Sequence, residues 1–399
     1  MGRTQGPDWL ERLDGFLVRR QPGLVAFRRD LHMHPEASFQ EFRTTERILH
    51  QLETVGLTAV RLPKGTGAIC DIGSGKGPIV ALRADIDALR LTDEKSVPYR
   101  STNPGVCHAC GHDVHTTAVL GAGLFLSGLA DEGLLPGTVR LVFQPAEETL
   151  GGALDVVASG GLAGVQRIFG LHCEPKYEVG QVGLRDGAIT GAYDRVRVHI
   201  GGMSASGRHP DLIFALAKII TELPAALSRR IDPRSSLSLV WGTLKALPTD
   251  GLLPDSGIAE GTVRCFDEAA RRRAPGIIEE LVRSVASAYD IEASLKYIHG
   301  IPPTVNESNS VGNFRDAAQL VLGENKIFTA PQSLGGDDFG VYLQEVPGAY
   351  ARLGVRAPGQ SDYDLHQGIF DVDERSISVG VRLLAVAALM ALSQLSLTG

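Results

Sequence analysis

The feature that most limits the fold is a stretch with its own complete pattern of elements. Within residues 190–303 the chain reads as strand DRVRVHI, helix DLIFALAKIITELPAALSRR, strand SSLSLVWGTLKAL, strand SGIAEGTVRCF, helix DEAARRRAPGIIEELVRSVASAY and strand ASLKYIHGI. That order, β-α-β-β-α-β, is the ferredoxin-like arrangement, complete in about 110 residues. On its N-terminal side, strand and helix patterns alternate: LVAFRRDL and TTERILHQLETVG read as helices and GPIVALRAD as a strand. HTTAVLGAGLFLSGLA then reads as a helix, TVRLVFQ as a buried strand, ALDVVASG as a helix and RIFGLH as a strand. The rhythm resumes afterwards with AAQLVLG, the strand AYARLGV and a terminal helix over 375–395. This alternation predicts a layered α/β domain. The chain is therefore expected to hold one discontinuous domain, 1–189 and 304–399, split around an inserted domain, 190–303.

Length agrees with two domains, since 399 residues exceed the roughly 150 that one core usually serves. A net charge of −7 leaves no basic excess to hold nucleic acid, so the expected partners are small molecules or other subunits. The five cysteines, Cys70, Cys107, Cys110, Cys173 and Cys265, are odd in number and scattered. That argues against a disulfide framework and for a reducing compartment, with the cytoplasm as the expectation. The segment MGRTQGPDWLERLDGFLVRR intersperses acids and has no signal-length apolar stretch. No later stretch is expected to reach the roughly 18 apolar residues of a membrane span.

The chemistry concentrates in CHACGHDVH, residues 107–115. Cys, His and Glu are the residue types that bind zinc and its neighbours, and Cys110-x-His112 at a helix start leaves both side chains free to converge. A closed structural zinc site would need a second Cys/His pair, and no other C-x-x-C occurs. The pattern favours an open, catalytic site over a closed one. A redox dithiol on Cys107 and Cys110 has suitable spacing, but the surrounding histidines and acids serve no purpose in thiol exchange.

Further candidates arrive at the same sheet edge. PAEE, with Glu147 and Glu148, follows the strand TVRLVFQ; Asp85 and Asp87 follow IVALR; His172 ends RIFGLH. Open α/β sheets place ligands at the C-terminal ends of strands. The plainer reading of adjacent acids is the first turn of a helix, favoured by its dipole. His32 and His34 suggest another metal motif, but Leu24, Phe27 and Leu31 recur at helical spacing, which points the two histidines to different sides and assigns them a supporting role.

Taken in order, LHMHPEASFQE, ALRADIDAL, HACGHDVHT, FQPAEE, GLHCEP and DLHQGIF resemble the family of aminoacylase, hippurate-hydrolase and auxin-conjugate amidohydrolases, which are two-metal metallopeptidases. The likeness runs from about residue 24 to the C-terminus. It implies a metallopeptidase-type α/β catalytic domain, a mixed sheet flanked by helices, interrupted by a ferredoxin-like α+β lid that also makes a homodimer. By position, Cys110, His112, Glu148, His172 and His366 match metal ligands for two divalent ions, zinc or manganese first and cobalt or nickel next. Glu147 matches the general base, and Asp85 an acidic residue that supports the metals.

GGDDFG resembles a family acidic motif with Asp337 in place of a usual glutamate, and two further departures matter more. A lid histidine is replaced by Ser204 in GGMSASGRHPD, where His209 is the nearest imidazole, and an asparagine is replaced by Gly251 in TDGLLPD. Ser204 and His209 are thus the candidate donors to a reaction oxyanion, and Arg264 in GTVR is a candidate for holding a substrate carboxylate. The function implied is metal-dependent hydrolysis of N-acyl amino acids or related amides. A dipeptidase or carboxypeptidase of the same wider family, and a metal-binding relative without catalysis, are the alternatives.

Overall fold

The computed structural model describes residues 8–201, 210–247, 254–361 and 363–398. In chain order the elements begin with α1 (Asp8–Met33), α2 (Phe42–Glu53), β1 (Ala59–Arg61), β2 (Ala68–Ile72), β3 (Ile79–Asp85), α3 (His112–Asp131), β4 (Thr138–Gln144), α4 (Gly152–Ala158), β5 (Val165–Glu178), β6 (Val182–Leu184) and β7 (Gly187–Thr190). There follow β8 (Ala192–Gly201), α5 (Leu212–Arg230), β9 (Ser238–Leu247), β10 (Ser256–Cys265), α6 (Glu268–Ser287) and β11 (Glu292–Ile301). The chain closes with β12 (Thr304–Asn306), α7 (Ser308–Leu322), β13 (Ile327–Thr329), α8 (Phe339–Glu345), β14 (Gly348–Arg356) and α9 (Arg375–Thr398).

Two compact units result: Met1–Gly187, Asn306–Pro331 and Val341–Gly399 make the first, and Ala188–Val305 with Gln332–Gly340 the second. Residues 332–340, placed with the catalytic part by sequence, thus group with the inserted unit. The cause is local pairing: Gly191 N–H donates to the Ser333 carbonyl at 2.9 Å, and Ser333 N–H to the Ile189 carbonyl at 3.0 Å.

The first unit is built on an eight-stranded mixed sheet in the order β1-β2-β4-β3-β5-β14-β6-β13. β3 runs parallel to β4 and β5, and β14 runs parallel to β5. Buried on both faces, these strands read as near-continuous apolar runs, IVALRAD and TVRLVFQ among them. Register sets the level of the site. Asp85 pairs with Gln144, and the pairing of Arg83 with Gly170 brings His172, two residues on, to the same height. The sequence ends this strand at His172, whereas β5 runs on to Glu178 because β14 continues to pair with it, Arg352 opposite His172 and Gly354 opposite Glu174.

α3 and α9 correct a second expectation, since both are long and apolar enough to cross a membrane by length and composition. Of their apolar windows, 83% and 72% are buried inside the protein. A helix that is apolar all round is the core helix of a packed domain, and both belong to the same core cluster as Leu82, Leu141 and Phe169.

The second unit holds a four-stranded antiparallel sheet, order β11-β8-β10-β9. β8 and β10 alternate buried and more exposed residues along their length, the mark of a sheet covered on one face. Val196, Val198, Ile200, Ala259 and Val263 share a core with α5 and α6. Asp211 and Asp267 cap these helices by accepting from the N–H groups of Phe214 and Ala270.

Candidate metal centre

The site begins at the start of α3. Gly111 precedes the helix with φ +86°, and a Cβ there would lie 2.6 Å from Cys173 Sγ, so only glycine fits. This turn puts Cys110 just before the helix and His112 in its first turn, both facing the end of β3. Cys110 Sγ lies 3.4 Å from His172 Nε2. His112 Nε2 lies 3.8 Å from Glu148 Oε1 and 3.9 Å from Glu147 Oε2. His366 Nε2 is 3.7 Å from the same Glu148 oxygen. His366 has φ +61°, and its N–H donates to the Ala109 carbonyl at 2.9 Å, which ties its loop to the cluster.

Which ring nitrogens are spoken for decides what these groups can do. His112 Nδ1 is 2.9 Å from the Asp87 carbonyl and His172 Nδ1 is 2.7 Å from the Cys173 carbonyl, leaving each Nε2 as the acceptor toward the cluster, that of His172 facing the Cys110 thiol. Metal-bound histidines are oriented in this manner by a partner on the far nitrogen. His115 differs, because its Nδ1 lies 2.6 Å from Asp85 Oδ1 and its Nε2 accepts the Cys173 N–H at 2.8 Å. It has no lone pair to offer a cation. His112 Nε2 and Glu148 Oε1 are buried and have no hydrogen-bond partner, a condition native proteins rarely tolerate without a ligand.

The acidic pair is set by a clamp that sequence spacing does not reveal. Asp87 accepts the N–H of Glu147 on Oδ1 at 3.1 Å and the N–H of Glu148 on Oδ2 at 3.0 Å. Ser38 Oγ donates to Oδ2 at 2.7 Å. Glu147 and Glu148 therefore lie in a tight turn after β4, in place of the helical first turn that is the usual home of adjacent acids. The turn is strained: Ala146 has φ +53° and Leu150 φ +58°, a region that costs a non-glycine residue about 1–2 kcal/mol. Asp85, expected near the metals, accepts from Arg83 Nη1 at 2.7 Å and lies 3.7 Å from His112 Nε2, so it supports the cluster from behind.

Burial shapes the charges. It pushes the Cys110 thiol well above its usual range, and it pushes Glu148 up to about 7, with His112 opposing only in part. It drives His172 well down and lowers His366, so both rings are neutral. Burial would raise Asp85, but His112, Arg83 and His115 hold it well below the carboxylate range. Burial would lower His112, yet Asp85 draws it well above its ordinary value. A proton and a cation compete for the same Nε2.

Behind this cluster lies a second buried group, found by geometry alone. Asp113 Oδ2 forms an ion pair with Arg28 Nε at 2.6 Å and lies 2.7 Å from His32 Nδ1. Asp93 faces His32 Nε2 at 3.4 Å and Lys95 Nζ at 3.0 Å. His32 is thus a supporting residue, and His34, partly exposed, has its Nδ1 2.9 Å from the Asp30 carbonyl. The redox alternative finds no support, as all five cysteines are free and buried. In the second unit, Arg264 donates to the Leu334 carbonyl and stacks 5.0 Å over Tyr193. Ser204, His209 and Gly251 lie outside the described residues.

Thiol, imidazole and carboxylate donors gathered over a mixed α/β sheet, with a second carboxylate, Glu147, beside them, are the makings of an open metal centre. The chain belongs to the peptidase family M20/M25/M40, which it matches over residues 81–390. It is 37% identical over 359 residues to N-acetyl-L-cysteine deacetylase of Bacillus subtilis, covering 89% of this chain and 84% of that one. It is 42% identical over 366 residues to a Rhodococcus jostii protein named for a glutamate–cysteine ligase, and spans 46% of that longer protein. The YXEP protein of Bacillus subtilis, a dinuclear metal-binding peptidase of the M20 family, superposes with a TM-score of 0.84 at 34% identity, over 94% of this chain and 99% of that one.

Proposed function

We propose that this protein hydrolyses the amide bond of an N-acyl amino acid or related amide to a carboxylate and a free amine, using two divalent cations held by Cys110, His112, Glu148, His172 and His366. The observation that carries the reading is the pair of buried, partnerless atoms His112 Nε2 and Glu148 Oε1, 3.8 Å apart. The mixed sulfur, nitrogen and oxygen donor set suits zinc or manganese, then cobalt or nickel. When bound, such cations supply Lewis acidity to the amide carbonyl and to a water molecule.

The chain's own residues do the rest. Glu147 takes the proton of the attacking water and returns it to the leaving nitrogen. Asp87 fixes the backbone of both acids, and Asp85 supports the imidazoles. The deacetylase relative supports an N-acyl amino acid as the substrate class. The second unit is read as a ferredoxin-like lid, supported by its β-α-β-β-α-β order and its strand order. A homodimer through it is supported by Val240 and Leu244 on edge strand β9 and by Ile213 and Phe214 on α5, all more than half exposed. Lid donors to the oxyanion, His209 or Ser204, rest on the sequence alone, and the domain division 1–189 with 304–399 around 190–303 is kept as the functional one. Free cysteines support a reducing compartment such as the cytoplasm.

The test is release of amine from a panel of N-acyl amino acids and dipeptides, before and after chelation. Metal-dependent release from N-acyl amino acids is expected. Preference for dipeptides would make the enzyme a dipeptidase, and metal binding without turnover on any amide would contradict catalysis.

A further inference from the structure

The motif LHMHPEASFQE is not used by the ligand set or by the base, yet its last residue reaches the base's own turn. Glu41 has no exposed surface. Its Oε1 accepts the Ala146 N–H at 2.8 Å and the Phe39 N–H at 2.9 Å, while Oε2 is buried with no hydrogen-bond partner. Ala146, immediately before Glu147, is the residue at φ +53°. Its carbonyl accepts the N–H groups of Gly151 at 3.3 Å and Gly152 at 3.2 Å. The polar groups on both sides of this strained residue are therefore pinned, and the pin on the nitrogen side is a side chain from a distant part of the chain.

The rest of the motif converges on the same place. The Ala88 N–H donates to the Glu36 carbonyl at 2.8 Å, and Ser38 Oγ reaches Asp87. Glu36 carboxylate oxygens accept from Arg43 N–H at 3.0 Å and Thr44 N–H at 2.7 Å, which anchors the start of α2. Burial, with the charge of Asp87, pushes Glu41 up to about 7. A carboxyl in so dry a place, with one oxygen unshared, is costly for folding alone. An apolar side chain of equal size would pack better, but it would release the Ala146 N–H.

We propose that Glu41 is a positioning residue for Glu147: by accepting the Ala146 N–H it keeps Ala146 in the left-handed conformation, and so fixes the direction in which the Glu147 side chain leaves the backbone. The proposal rests on the reading of Glu147 as the base. Non-glycine residues hold such a conformation only when their surroundings over-determine it.

The test uses the metal-loaded full chain as wild type, Glu41→Gln, Glu41→Ala and Glu41→Met, the last filling the volume without an acceptor should the alanine variant not fold. Hydrogen exchange is followed over residues 145–150 with α3 as the internal reference, alongside kcat, KM and metal content. Glu41→Ala or Glu41→Met should speed exchange in 145–150 alone and lower kcat about ten- to a hundredfold with KM little changed, since about 1 Å of misplacement costs on that order. Glu41→Gln keeps the acceptor oxygen and should restore both readouts. Unchanged exchange in Glu41→Met, or a glutamine variant as impaired as Glu41→Met, would overturn the proposal. A wild type without amidase activity would defeat the assignment of the base, while the exchange data would still decide whether Glu41 holds the turn.

Discussion

Two buried polar groups lie side by side in the first unit, and they follow opposite rules. Arg28, His32, Asp93, Lys95 and Asp113 each face an opposite charge or an imidazole, with contacts of 2.6 Å to 3.4 Å. Cys110, His112 and His172 are buried as deeply, but there His112 Nε2 and, next to it, Glu148 Oε1 have no hydrogen-bond partner. Density of polar residues is the same in kind; what differs is how near an opposite charge comes, since no carboxylate oxygen lies closer than 3.7 Å to His112 Nε2. Close ion pairs rigidify a core, whereas donors held apart without a partner stay only where something else completes them. The first group is a strut for the second, since Asp113 is the neighbour of His112 and its pairing fixes the first turn of α3.

The two groups should respond differently to mutation. The largest effect is expected for the strut: Asp113→Ala takes from the buried Arg28 its nearest carboxylate and leaves it Glu374 at 3.4 Å and Asp371 at 3.5 Å, and breaking a buried pair typically costs about 3–5 kcal/mol. Chemical denaturation of the metal-free protein measures it. In the same assay His112→Ala should cost less, because its Nε2 has no hydrogen-bond partner to lose and the contact that goes is that of Nδ1 with the Asp87 carbonyl; a loss equal to that of Asp113→Ala would erase the distinction.

Next in size is the split between the adjacent acids. Glu147→Gln should keep its metal and lose about a hundredfold or more in turnover, whereas Glu148→Gln should lose metal first. Steady-state kinetics with metal analysis on each variant separate the two, and a nearly full rate in Glu147→Gln would put the base elsewhere.

The smallest effect is a pH dependence confined to the strut. Burial would raise the Asp93 carboxyl, but His32 and the backbone N–H groups of Ser101 and Lys95 hold it below its ordinary value. Its folded pKa is depressed, so its stabilisation is present above the unfolded pKa of about 4 and is lost as pH falls through the folded value. The stability gap between wild type and Asp93→Asn should therefore close as pH drops below about 4. A gap that stays constant down to acid unfolding would mean that this carboxylate is not charged in the fold.

The sequence made the donors legible and left their partners hidden. Cys110, His112, Glu147, Glu148 and His172 could be singled out because each follows a readable strand or opens a readable helix, so topology alone brings them to one edge. His115 sits in the same cluster of histidines and cannot be told from His112 by spacing; only the approach of Asp85 and the Cys173 N–H shows that its nitrogens are taken. Asp87 is visible as an acid after β3, but its grip on two backbone N–H groups in the turn after β4 depends on tertiary placement. The end of β5 was missed because pairing with β14 extends the strand beyond its apolar run. The length of apolar sequence in α3 and α9 was underread, since scattered glycine, serine and histidine residues interrupt a surface that the fold buries on every side.

If the unshared donors exist to hold cations, the metal content of the protein must depend on them. Elemental analysis of gently purified wild type should find up to two divalent ions per chain, a stoichiometry in keeping with the dinuclear YXEP protein. Cys110→Ser combined with His172→Ala should lower that number sharply while the fold, read by circular dichroism, is kept. The same metal content in the double variant as in wild type would contradict the claim.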